Sequence, residues 1–297
     1  MVIADLWPRP RSVQVHDGVL RIGITPSAGH PQACIVADAE PHASAILARR
    51  LQASAGPDPE EGCVPICLSV DADARFAAGL PPDRRVEAYS LQVDGNGIVM
   101  VTTTEEGLLR AVATLLQLAS DEGDAVSIPH VSIVDWPFFR SRCASDWLLN
   151  VEANRWGYDF GDGPEAYLER IKRKLDVCFE HKINQVWFDG FGWDVNRTPH
   201  YAGLMRECSR YARSLGIRLT FAGYGGGYGT SYQKSELYRA GYQGEVFINC
   251  RPYPGGEEYL CCGLPGYDAA RRYGTCPSND GLQAAKLAEM ARFVAAV

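Results

Sequence analysis

Between Glu87 and Asp135 the alternation of apolar and polar positions changes period twice, and three kinds of element follow from it. Tyr89, Leu91 and Val93 alternate with polar residues, and a second apolar run spans Ile98 to Thr102. The intervening Asp94-Gly95-Asn96-Gly97 accepts positive φ and predicts a tight hairpin. Leu108, Leu109, Ala111, Leu115, Leu116 and Leu118 then recur at helical spacing, which predicts an amphipathic helix over Glu105–Leu118. Thr103 or Thr104 would cap it, and Glu105 and Glu106 suit the positive end of its dipole. Gln117 is the polar exception on that face, either a solvated edge residue or a functional one. An extended segment, Ile128 to Asp135, closes the stretch and leads into a Pro-aromatic-Arg exit.

Upstream, short extended runs (Val19 to Ile22, Ala33 to Val36, Val64 to Val70) and a helical stretch from about Pro41 to Ala53 are separated by Gly/Pro/Asp-rich loops. Such a mixture predicts a sheet covered by helices. After Asp135 strands and helices alternate, the signature of parallel βα units. A strand over Arg142 to Trp147 is followed by a polar loop, then by a helix from about Pro164 carrying Leu168, Ile171, Leu175, Cys178 and Phe179 on one face. The next strand is Asn184 to Asp189. A second helix, with Tyr201, Leu204, Met205, Cys208, Tyr211, Ala212 and Leu215 apolar, stops at Gly216 and hands over to a strand from Ile217 to Ala222.

Composition narrows the classes. The apolar content of 46% is that of an ordinary globular chain, and a net charge of -7 argues against nucleic-acid and anionic-membrane partners. No apolar run reaches transmembrane length, and the N-terminus lacks a signal-peptide pattern, so a cytoplasmic protein is expected. The ten cysteines and six histidines show no zinc-ligand spacing, no cofactor is expected, and the cysteines read as reduced thiols, several of them buried.

The hairpin, helix, extended segment and Pro-aromatic-Arg exit together resemble the end of the small α+β domain that precedes the barrel in family 20 glycoside hydrolases, the β-N-acetylhexosaminidases. The resemblance implies a small α+β sheet-and-helix domain over residues 1–136, followed over 137–297 by an incomplete (β/α)8 TIM-type barrel. A full barrel takes about 250 residues. Only 160 lie between Phe138 and Val297, so the expectation is a barrel cut before strand four. In the family the catalytic Asp-Glu pair stands at the end of that strand, and no residue here takes its place.

The family's Asp-x-Pro-x-Phe-x-x-Arg run is similar to Asp135-Trp136-Pro137-Phe138-Phe139-Arg140-Ser141-Arg142, which puts Arg142 in the place of an arginine that binds sugar hydroxyls. The other reading of Arg142 is a domain-interface ion pair. A one-residue shift in register would make Asp146 the equivalent of the family's strand-one aspartate. Asp189-Gly190-Phe191-Gly192-Trp193-Asp194 resembles the family's second-strand segment; Trp193 would stack on a sugar or plug the barrel mouth, and Asp189 and Asp194 flank it. The Gly-rich loop after Ala222 replaces the family's His-bearing loop, and there Tyr224 and Tyr228 offer aromatic faces for a sugar or belong to a surface loop. Eleven of the fourteen tyrosines lie after residue 200. Glu152, in the polar loop after strand one, and Asp189 are the remaining candidates for proton transfer.

Two function classes follow: a glycosidase acting on N-acetylhexosamine-containing glycans, of which this chain alone would be inactive, or a non-catalytic carbohydrate-binding or interaction protein. O-GlcNAcase-like and α-glucuronidase-like families are the neighbouring alternatives. Self-association through an open barrel edge is the expected protein partner.

Overall fold

The computed structural model describes residues 6–25, 29–37, 41–56, 61–145, 164–189 and 201–222, with 291 and 295. Contacts divide the chain into two compact units. The first is Met1–Arg142 with Leu175–Asn184 and Arg213–Ile217; the second is Cys143–Lys174, Gln185–Ala212 and Arg218–Val297.

The first unit is built on a mixed sheet. Its strands are β1 (Ser12–Gly23), β2 (Ala33–Ala37), β3 (Ser54–Gly56), β4 (Val64–Val70), β5 (Tyr89–Asp94), β6 (Gly97–Thr102), β7 (Ser120–Asp121) and β8 (Ala125–Asp135). The order is β1-β8-β5-β6-β4-β2-β3, with β7 beside β8. The β1, β8, β5 and β6 pairings are antiparallel, and those among β6, β4, β2 and β3 are parallel. Helices α1 (Pro41–Leu51) and α3 (Glu105–Leu118) pack on the sheet and on each other, while α2 (Pro82–Arg85) is a single turn. From α1, Ala43, Ile46, Leu47 and Leu51 are buried; from α3, Leu108, Leu109, Ala111, Val112, Leu115 and Leu118. Each large aliphatic side chain removed from water in this way contributes roughly 1.5–3 kcal/mol.

The predicted hairpin and α3 are present with nearly the expected bounds. The predicted threonine cap differs in detail. Thr104 occupies the N-cap with extended backbone but makes no side-chain cap bond; its hydroxyl donates to the Val86 carbonyl. At its last glycine the hairpin turn leaves no room for a side chain: Gly97 has φ +137°, and a Cβ there would sit 2.4 Å from the Pro65 carbonyl oxygen on the far side of β6.

The expectation of thiols throughout is corrected at one pair. Cys34 and Cys63 form a disulfide, with Cα atoms 6.0 Å apart. Parallel pairing of β2 with β4 sets Ala33 opposite Val64, which brings the residue after the first beside the residue before the second. That proximity comes from strand pairing and is invisible in cysteine spacing. Cys67, Cys143 and Cys208 are free thiols among the described residues.

The second unit contains three parallel strands, β9 (Cys143–Ser145), β10 (Gln185–Asp189) and β11 (Arg218–Ala222), in the order β11-β10-β9. Helix α4 (Pro164–Glu180) lies in sequence between β9 and β10, and α5 (Tyr201–Ser214) between β10 and β11. This is the predicted β-α-β-α-β run. Its apolar stripes are buried at Ile171, Leu175, Cys178 and Phe179 in α4 and at Cys208 and Ala212 in α5. Burial pushes the Cys208 thiol up to about 12, so it stays protonated and behaves as a small apolar side chain. No helix among the described residues is long and apolar enough to cross a membrane.

Candidate functional site

The chemistry-bearing residues that the structure brings together lie in the first unit, and their placement follows from side-chain periodicity. On β5, Tyr89, Leu91 and Val93 point inward, and Glu87 continues that parity two residues upstream. On β8 the inward set is Val131, Ile133 and Asp135, and Asp135 stands opposite Tyr89 in the register. Two residues along a strand span about 6.6–6.8 Å. Four residues along a helix rise about 6 Å. The i, i+4 pair Arg110 and Thr114 of α3 therefore matches Glu87 and Tyr89. Arg110 Nε donates to Glu87 Oε1 at 2.8 Å, and the Tyr89 hydroxyl shares a hydrogen bond with Thr114 Oγ1.

Two cations complete the cluster. Arg142 Nη2 donates to Glu87 Oε2 at 2.6 Å, its Nε to the Lys182 carbonyl at 2.7 Å, and its Nη1 to the Phe139 carbonyl at 2.7 Å. Lys182 Nζ donates to Asp135 Oδ2 at 2.7 Å and to the Tyr89 hydroxyl at 2.8 Å. Lys182 reaches them from an unusual backbone position. Ile183 N–H bonds to the Cys178 carbonyl and Lys182 N–H to the Phe179 carbonyl, a helix-ending arrangement that puts Lys182 at the position usually taken by glycine, with φ +58°. The ammonium contacts hold a side chain where a glycine would be less strained.

The electrostatics follow from burial and pairing. Burial alone would raise the Glu87 carboxyl, but the Arg110 and Arg142 guanidiniums outweigh it and hold the group below its ordinary value. Glu87 is thus an ionised counter-charge and not a proton donor at neutral pH. Burial, reinforced by Asp135, pushes the Tyr89 phenol well up. Burial lowers the Lys182 ammonium, and Asp135 opposes part of that effect. Among the described residues no group of His, Cys, Asp and Glu side chains could hold a metal ion.

Of the sequence-predicted site residues, Arg142 is the one whose side chain is described, and three of its five N–H donors are engaged within the first unit. Asp189 ends β10, opposite Ala222 of β11. Asp146, Glu152, Trp193, Asp194, Tyr224 and Tyr228 lie outside the described residues. Glu87, Arg110 and Lys182 were not singled out from sequence. The available signals were the acid on the inward parity of β5 and an arginine on the apolar face of α3. Gln117 resolves into a backbone clamp: it exchanges two 2.9 Å hydrogen bonds with the main chain of Trp7 and donates to the Glu180 carbonyl.

A mixed sheet under two helices, followed in sequence by parallel βα units, defines a chain of the α/β class. Residues 4–136 match the model of glycosyl hydrolase family 20, domain 2. A beta-hexosaminidase of Vibrio furnissii is 32% identical over 111 residues, 36% of this chain and 16% of that protein. The structure is similar in fold to a family 20 exo-beta-N-acetylglucosaminidase from Vibrio harveyi solved in complex with N-acetylglucosamine, with a TM-score of 0.63 and 17% identity, covering 98% of this chain and 45% of that one. A beta-N-acetylhexosaminidase from Bacteroides fragilis matches with a TM-score of 0.59 and 16% identity, covering 97% and 54%. The chain thus spans about half the length of these solved relatives and a smaller part of the curated one.

Proposed function

We propose that the chain belongs to a glycoside hydrolase of β-N-acetylhexosaminidase type acting on N-acetylhexosamine-containing glycans, with residues 1–136 as its small α+β domain and 137–297 as the first βα units of its TIM-type barrel. One observation carries this reading: three strands in sequential parallel order, joined through helices, follow directly on a family 20 domain 2. Barrel strands present their C-terminal ends to substrate. Asp189 stands at such an end, and with Asp146, Trp193, Asp194, Tyr224 and Tyr228 it belongs to the sugar-facing wall. Arg142 enters this reading through its two uncommitted N–H donors. The paired-carboxylate chemistry belongs to the whole enzyme of this architecture. In this reading no cofactor takes part, and exposed strand edges promote self-association.

The cysteines bear on the compartment in two directions. The free thiols suit a cytoplasmic address, whereas the Cys34–Cys63 disulfide suits an oxidising one.

The test is hydrolysis of an aryl N-acetylglucosaminide, run with the 297-residue chain and with the same chain continued through the later strands of a family 20 barrel. The continued chain is expected to turn over and the shorter chain to match buffer. Inactivity of a folded continued chain, or turnover by the shorter one, overturns the reading. In the latter case Glu152→Gln and Asp189→Asn identify the acid. Sedimentation that finds only monomer at high concentration removes the self-association.

A further inference from the structure

The first unit contains a cavity of about 350 Å³ whose wall is unusually basic. Arg9, Arg11, Arg110, Arg142 and Lys182 line it, against two carboxylates, Glu87 and Asp135. Both carboxylates already have partners: Glu87 binds two guanidiniums, and Asp135 accepts from Lys182, Tyr89 and the Arg11 backbone N–H. Among the described residues that line it, the wall therefore holds an excess of three positive charges, with Glu106 acting on Arg110 from outside the lining.

Arg110 is 2% exposed, and its Nη1 is a buried side-chain nitrogen with no hydrogen-bond partner among the described residues. Its Nε and Nη2 are satisfied, by Glu87 and by the Gly216 carbonyl. A buried donor on a charged group left without an acceptor keeps its full desolvation penalty, so an acceptor placed there is favoured. The rim is aromatic. Phe138 and Phe139 are 61% and 66% exposed, and the Arg11 guanidinium lies 5.2 Å from the Phe138 ring centre and 5.8 Å from that of Trp136.

We propose that this cavity binds a small oxyanion, a phosphate, sulfate or carboxylate group, seated between Arg11 and Arg110 under the Trp136–Phe139 rim. Such a group supplies the acceptor that Arg110 lacks and balances the excess charge of the wall, while the exposed rings accommodate a planar or ring-shaped body attached to it. The cavity shares Arg142 with the sugar reading above, but the seat between Arg11 and Arg110 uses neither Asp189 nor the aromatic residues assigned to the sugar wall.

The experiment is a melting series of the whole chain at constant ionic strength, with chloride replaced by inorganic phosphate, sulfate, benzoate or glucuronate, and phosphate line broadening in ³¹P NMR as a direct readout. A saturable rise in Tm over chloride is expected. Tighter binding of benzoate or glucuronate than of the inorganic ions marks a ring-borne carboxylate as the ligand chemistry; the reverse order marks a free ion. Arg11→Gln, at an exposed position, should fold normally and weaken binding up to about fivefold, the range for an exposed charge. Arg110→Met should weaken it about tenfold or more. Arg75→Gln, which does not line the cavity, should keep wild-type affinity. If Arg110→Met does not fold, Arg11→Gln still decides. Equal Tm in all salts, or binding unchanged in Arg11→Gln, overturns the proposal.

Discussion

Lys182 and Asp135 are 47 residues apart in sequence, yet the Lys182 ammonium lies 2.7 Å from Asp135 Oδ2 with both side chains at least nine-tenths buried. The pair ties the end of α4 to the end of β8, inside the first unit. Removing one partner of such a pair leaves a buried charge, at a cost of about 3–5 kcal/mol. Asp135→Asn and Lys182→Met should each lose about that much in urea unfolding, and the double variant should lose less than the sum. Lys182→Gly is the sharper probe. Glycine at a helix-ending position with φ +58° ordinarily stabilises by about 1 kcal/mol, but here the lost ammonium should reverse the sign.

Glu87 makes acid stability predictable in direction. Its folded-state value lies below the ordinary 4.5, so the unfolded chain binds the proton more readily in that range. The stabilisation is fully present above about 4.5 and is lost as pH falls through the lower folded-state value. Glu87→Gln should be less stable than wild type at pH 7, because two guanidiniums lose their counter-charge, and its stability should fall less steeply below pH 4.5. Chemical unfolding at stepped pH measures both effects. Parallel acid limbs would rule out Glu87 as the titrating group.

The hairpin offers a steric test. Gly97→Ala places a methyl 2.4 Å from the Pro65 carbonyl oxygen at φ +137° and should destabilise by well over about 1 kcal/mol. Gly95→Ala in the same turn meets nothing within 4 Å and should change stability little. Equal effects of the two substitutions would mean that the close approach of β4 to the turn is wrong.

The disulfide closes a loop between residues 29 apart, for which chain entropy predicts about 3–4 kcal/mol. Reductant should lower the stability of the wild type by about that amount and leave Cys34→Ala/Cys63→Ala unchanged. The number of thiols gained on reduction of the unfolded chain should be two greater in the wild type than in Cys34→Ala/Cys63→Ala.

Elements whose identity rests on local periodicity were legible in the sequence. Val64–Val70 and Glu105–Leu118 have the predicted bounds, since a strand face and a helix stripe are written in neighbouring residues. What was not legible depends on pairing across the chain. β1 runs from Ser12 to Gly23, well beyond the apolar run from Val19 to Ile22, because antiparallel pairing with β8 continues past an irregularity between Val15 and Val19. The disulfide depends on the β2–β4 register, and the Glu87–Arg110–Arg142 cluster on a strand parity meeting a helix face. Arg142 was found through its motif, whereas its partners required the fold.

Arg142 provides the final prediction because its guanidinium is spent in three directions. Nε and Nη1 reach backbone carbonyls of Lys182 and Phe139, and Nη2 reaches the Glu87 carboxylate. A lysine in its place has a single nitrogen and cannot span three acceptors. Arg142→Lys should therefore lower stability by about 2–3 kcal/mol, the range for hydrogen bonds to charged groups, before any ligand is considered. Arg140→Lys is the control: Arg140 is exposed, and the Asn184 amide binds its backbone carbonyl, which the substitution leaves in place. Urea unfolding of both variants, with and without N-acetylglucosamine, separates the roles. A stability loss confined to Arg142→Lys and independent of sugar identifies a structural arginine. Unchanged stability with lost sugar protection would mean that the two remaining N–H donors are what matter.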